Sequence, residues 1–118
     1  MLAGKRILIV EDEPLIALDL ETAIVDLQGS VIGSVRTITE ALRIAEFEDF
    51  DGAILDLQLK EGMAHPVAEC LSKRAIPFVI HSGQSEITSP RARPDVPIIS
   101  KPALPEQVIK VLAALMHK

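Results

Sequence analysis

The chain has no tryptophan, no tyrosine and a single cysteine, Cys70. One cysteine excludes an internal disulfide, so the fold needs no oxidising compartment. Without Trp or Tyr there is little to stack against bases. Cationic charge is also scarce. Twelve Lys and Arg against 17 Asp and Glu leave a net charge of -5, which argues against a protein that grips phosphate backbones. No apolar run approaches membrane-spanning length. The four strongly apolar residues that follow Lys5-Arg6 are too few for a signal-peptide core. No repeat, linker or low-complexity tract divides the 118 residues. The expectation is one domain over residues 1–118, cytoplasmic, engaging neither membrane nor nucleic acid.

What is present is apolar and patterned. Hydrophobic residues make up 48% of the chain, which is enough for a packed core. Ile7-Leu8-Ile9-Val10 reads as a buried strand and ends abruptly in Glu11-Asp12-Glu13. Pro14 then opens a helix, where its missing N–H costs nothing. Ile16, Leu20, Ala23, Ile24 and Leu27 give that helix one apolar face, and Gly29 is expected at its C′ position. Residues 30–35 form a short second strand, and Thr37-Ile38-Thr39-Glu40 has the form of a capping box for a second helix. Ala53-Ile54-Leu55-Asp56-Leu57 is a third buried strand, and Pro66 opens a third helix, with His65 capping or preceding it. Residues 77–81 form a fourth strand closed by Ser82-Gly83, residues 97–100 a fifth closed by Lys101-Pro102, and Pro105 opens the last helix. Residues 84–97 carry three prolines and little apolar periodicity, so no helix longer than about a turn is expected there. Strands alternating with helices predict a parallel sheet covered on both faces by right-handed crossovers.

The strand ends carry the chemistry. Glu11 and Asp12, Asp56, Ser82 and Lys101 each close a different strand. In a parallel sheet those ends lie along one edge, where α/β ligand sites form. Any one of these residues has a bland reading: a solvated helix start, a turn serine, a surface lysine. Their joint placement makes the bland set improbable. Clustered carboxylates with few nitrogen ligands suit Mg²⁺, which keeps several waters and takes one or two carboxylates. An ionised carboxylate beside it is a competent nucleophile toward phosphorus. A hydroxyl and an ammonium then serve the other phosphoryl oxygens.

Over essentially its whole length the chain resembles the receiver domains of two-component response regulators. The resemblance implies a flavodoxin-like, doubly wound α/β fold with a five-stranded parallel sheet of order 2-1-3-4-5 and helices on both faces; residues 84–97 would leave the fourth helix reduced or disordered. It also implies roles. Asp56 matches the phosphoacceptor. Asp12 matches the direct Mg²⁺ ligand, Glu11 the acid that acts through water, and the Gln58 backbone carbonyl the third protein ligand. Ser82 matches the conserved hydroxyl, and Lys101-Pro102 the Lys-Pro pair that carries a cis peptide. Such a domain takes its phosphoryl group from a histidine kinase or histidine phosphotransfer protein and is not a turnover enzyme. An aspartate-nucleophile hydrolase would need an acid two residues after Asp56, and Gln58 stands there.

More narrowly, Pro77-Phe78-Val79-Ile80-His81-Ser82-Gly83 and Gly62-Met63-Ala64-His65-Pro66 resemble a receiver subgroup with a Phe-Ala-Thr-Gly-type fourth strand. That subgroup consists often of single-domain regulators of alphaproteobacteria working with HWE-type kinases. Departures remain. His81-Ser82 replaces Ala-Thr, and Ile98 stands where receivers usually carry an aromatic switch residue. The expected alternative is a receiver-like interaction module that is never phosphorylated, or a receiver excised from a longer protein. The last helix, rich in Val, Ile, Leu and Ala, offers either a homodimer or effector surface or merely an alanine-rich outer side.

Overall fold

The computed structural model describes residues 2–83 and 96–117. Among the described residues seven strands and four helices follow one another. They are β1 (Arg6–Val10), α1 (Pro14–Asp26), β2 (Ser30–Val35), α2 (Ile38–Phe47), β3 (Gly52–Leu55), β4 (Gln58–Leu59), β5 (Gly62–Met63), α3 (His65–Lys73), β6 (Phe78–Ser82), β7 (Ile98–Ser100) and α4 (Pro105–Met116). Five strands form one all-parallel sheet, ordered β2-β1-β3-β6-β7. With the small β4–β5 hairpin set apart, this is the order that the receiver resemblance implies. The expected fourth helix falls on residues 84–97; of these, 84–95 lie outside the described residues.

Strand alternation assigns each side chain to a face. Leu8, Val10, Ala53, Leu55, Phe78 and Ile80 meet Ala41 and Ala45 of α2 and Val67, Ala68 and Leu71 of α3. Ile7, Ile9, Ile54 and Val79 meet Leu20, Ala23 and Ile24 of α1 and Val108, Ile109, Leu112 and Ala113 of α4. Both faces are buried, so the central strands read as continuous apolar runs. Register is fixed by this: Ile9 opposes Ile54, and Ala53 opposes Phe78.

Helix ends depart from expectation in three places. At the end of α1 the left-handed residue is Gln28 (φ 73°), not Gly29. Gly29 N–H donates to Ile24 O (2.9 Å) and Gln28 N–H to Val25 O (2.9 Å), the two bonds of a Schellman motif. Gly29 is needed one position later, for a close approach: a Cβ there would meet Ile24 Cγ2 at 2.9 Å and Leu2 Cβ at 3.0 Å. At α2 the box is half formed. Thr37 Oγ1 accepts from Glu40 N–H (3.2 Å) and donates to Glu40 Oε1 (3.0 Å), so the Glu40 carboxylate holds the Thr37 hydroxyl rather than its backbone. At α3 Ala64 is the N-cap and His65 the first helical residue.

The last helix shows no large exposed apolar residue. Val111, Leu115 and Met116 pack partly against the α1/α4 face of the sheet, and Glu106, Gln107, Lys110 and Ala114 are exposed. Of the two readings of this helix, the polar and alanine outer side is the one that its exposed residues match; the large exposed apolar residues are Leu15, Leu18 and Val25 on α1, with Phe47, Met63 and Leu104 elsewhere.

Candidate functional site

The C-terminal ends of β1, β3, β6 and β7 meet at one edge of the sheet. β1 carries Glu11 and Asp12 out of the sheet, and β3 does the same for Asp56, whose backbone N–H donates to Val10 O at 2.9 Å. Lys101 follows β7, and its N–H donates to Ser82 O at 2.8 Å, which ties the two strand ends together. Lys101 Nζ then reaches back across the sheet edge. It lies 2.7 Å from Glu11 Oε1 and 3.1 Å from Asp56 Oδ2. Glu11, Asp56 and Ser82 are all buried, at 2%, 5% and 1% exposure, so these contacts form where water screens little.

Electrostatics follow from that burial. Desolvation raises Glu11 above the usual carboxylate range, despite hydrogen bonds from Lys101 and from Glu13 N–H. Burial alone would lower Lys101; hydrogen bonds and charge from Glu11 and Asp56 outweigh it and hold the ammonium above its ordinary value. Lys101 is therefore the cation on which two buried carboxylates depend.

Glu11, Asp12 and Asp56 each offer one oxygen, and these oxygens lie within 4.8 Å of one another. No other group of three potential metal ligands arises among the described residues. Three carboxylates against one ammonium leave an excess of negative charge, and an all-oxygen set suits a hard divalent cation. Beside it lies a cavity of about 310 Å³ lined by Asp12, Glu13, Asp56, Gln58, Leu59, Lys60, Ser82, Gly83 and Lys101. Every residue that the sequence placed at the site is accordingly brought to one edge, and all of them but Glu11 line this cavity. Gln58 is anchored by its own N–H, which donates to Asp56 Oδ1 at 3.0 Å. The Lys101-Pro102 bond is cis.

Sequence reasoning missed two things. One is the β4–β5 hairpin, whose Lys60 N–H donates to Asp12 Oδ2 at 2.6 Å. A two-residue Lys60-Glu61 turn followed by Gly62 (φ 141°) was its signal. The other is a second cavity, of about 490 Å³, between α1 and the segment joining β7 to α4. His81 forms part of its wall with Ile16, Leu20 and Pro102. His81 is 4% exposed, and neither ring nitrogen has a hydrogen-bond partner among the described residues.

No family model matches the chain. It is 39% identical over 113 residues to the phyllosphere-induced regulator PhyR of Methylorubrum extorquens, an alignment that takes in 92% of this chain and 42% of PhyR. The chain thus spans less than half the length of that relative. The solution structure of SdrG from Sphingomonas melonis Fr1 is 44% identical, with a TM-score of 0.81, covering 98% of this chain and 99% of that one. The receiver domain of the sensor histidine kinase PA1611 from Pseudomonas aeruginosa, solved with a magnesium ion in its active-site cleft, shares the fold at 20% identity (TM-score 0.82; 98% and 100% covered). With SdrG related over its full length and PhyR over 92% of this chain, on a five-stranded parallel sheet of the expected order, the chain belongs to the receiver domains of two-component response regulators.

Proposed function

We propose that this chain is a phosphoacceptor: Asp56 takes a phosphoryl group from a phosphohistidine of a histidine kinase or phosphotransfer protein. A carboxylate oxygen of Asp56 attacks phosphorus, the bond to the donor imidazole breaks, and an acyl phosphate results. The observation that carries this reading is Lys101 Nζ held between Glu11 Oε1 and Asp56 Oδ2 at the sheet edge. That ammonium stands where charge accumulates on transfer, and it can follow the new phosphoryl oxygens with little rearrangement. Ser82 lines the same cavity and supplies a hydroxyl donor.

Glu11, Asp12, Asp56 and the Gln58 carbonyl would hold Mg²⁺, which neutralises the incoming phosphoryl charge when bound. Gln58 offers no acid for rapid hydrolysis, so the chain works as a switch and not as a turnover enzyme. Its output is then partner binding or onward transfer to a histidine.

Intact-mass measurement after incubation with acetyl phosphate and Mg²⁺ tests the reading, with Asp56→Asn beside the wild type. The expected result is one phosphoryl adduct that needs both Mg²⁺ and Asp56. No adduct, together with no response to beryllofluoride, would leave the unphosphorylated interaction module as the better reading.

A further inference from the structure

Two consecutive residues of the β4–β5 turn make contacts in opposite directions. Lys60 N–H donates to Asp12 Oδ2 at 2.6 Å. Glu61 Oε1 accepts from the backbone N–H of Ile38, the first residue of α2. Below the turn, Gln58 opposes Met63, Leu59 opposes Gly62, and Leu59 is buried in the α2/α3 side of the core. From these contacts we infer that the Lys60-Glu61 turn is a strut between the cation site and the first turn of α2, and that Glu61 is a positioning residue for that site. The inference rests on the reading that Glu11, Asp12 and Asp56 bind a divalent cation.

The physical case has three steps. Asp12 is half-exposed, and what fixes its carboxylate is the Lys60 N–H; with Oδ2 held, the other oxygen is presented to a cation in one orientation. Outer contacts of this kind set the affinity of a ligand set by fixing its geometry. The Lys60 N–H is in turn only as well placed as the hairpin that carries it. A hairpin with two paired residues on each strand is marginal alone, so its tip needs a second anchor. Glu61 supplies it at a favourable place, because a carboxylate at a helix N-terminus satisfies an orphan N–H and meets the positive end of the helix dipole. Linkage then works in both directions. A cation that draws on Asp12 disturbs the Lys60 bond, and the disturbance reaches Ile38 through one rigid turn.

Amide NMR on the full chain during titration with Mg²⁺ alone tests this in the wild type, Glu61→Gln and Glu61→Ala. Glu61 is exposed, so neither substitution threatens folding. In the wild type the Lys60 and Ile38 amides move with one shared Kd. Glu61→Gln keeps a carbonyl acceptor without the charge, and holds the Kd within about twofold and the Ile38 response intact, because the contact rather than the charge carries the effect. Glu61→Ala weakens Mg²⁺ about tenfold, and the first turn of α2 stops responding while the Asp12 and Asp56 amides still titrate. A wild-type Kd in Glu61→Ala overturns the strut, as does an equal loss in Glu61→Gln, which would mean bulk charge alone. If the wild type shows no response at Asp12 or Asp56, the cation reading itself fails and the strut falls with it.

Discussion

At the residue scale His81 stands apart from its neighbours. The other buried polar groups at the sheet edge have partners, whereas the two nitrogens of this ring have none among the described residues. Burial, and after it the charge of Lys101, holds the imidazole below its ordinary range, with Asp56 pulling the other way. The ring is therefore neutral when folded and titrates normally when unfolded. Stability from this group is present above the unfolded value of about 6.5 and is lost as pH falls through the lower folded value. Replacing His81 by leucine removes a desolvated polar group and keeps the volume. At pH 7.5 the variant should be as stable as the wild type or about 1 kcal/mol more so. Urea unfolding at pH 7.5 and 5.5 checks the pH part, and the advantage of leucine should grow at the lower pH. Glu11 titrates with the opposite sign in acid but is common to both proteins, so the difference isolates His81. A variant that is destabilised at both values would mean that the ring makes a contact worth more than its burial costs.

At the element scale, strands and helices were legible because each central strand is buried on both faces and each helix on one. The Asp56 strand could be read from its four apolar residues and the turn before it; what it pairs with came from the resemblance. Local termini were less legible, because they depend on contacts far along the chain. Gly29 reads as a left-handed C′ residue until Leu2, 27 positions earlier, is seen packed against it. The half-formed box at Thr37 reads as complete until the Glu40 carboxylate is seen to hold the Thr37 hydroxyl instead of its N–H, while the next N–H, that of Ile38, is taken by Glu61 from the hairpin. Within the candidate site the charged residues were legible from their strand-end positions, while Lys60 acts through its backbone and left no side-chain signal. The same end chemistry makes a prediction at α3. Ala75 is left-handed (φ 57°), and Ile76 N–H closes the motif on Leu71 O at 3.0 Å. Ala75→Gly relieves the Cβ clash and should raise stability by about 0.5–1 kcal/mol, read by denaturant midpoint. Gly29→Ala should cost about 1–3 kcal/mol by overpacking against Ile24 and Leu2. If both changes were silent, these ends would be frayed in solution.

At the scale of the whole molecule, the site is also a stability problem. Glu11 and Asp56 come from neighbouring strands, and their burial is tolerable only because Lys101 crosses from the far side of the sheet to lie between them. Removing the ammonium strands two buried carboxylates, and breaking such a pair costs about 3–5 kcal/mol. Lys101→Ala should thus unfold at markedly lower denaturant without metal. A divalent cation addresses the same carboxylates from the solvent side and stabilises the folded state by mass action, by about 2.7 kcal/mol at 100 times its dissociation constant. The loss in Lys101→Ala should therefore be partly recovered by Mg²⁺, and the recovery should vanish when Asp12→Asn is added. Unfolding midpoints for the wild type, the single variant and the double variant, each with and without Mg²⁺, make the comparison. Recovery that survives Asp12→Asn would place the cation elsewhere. No loss in Lys101→Ala at all would mean that the two acids fold protonated, and that the ammonium is held there for transfer chemistry alone.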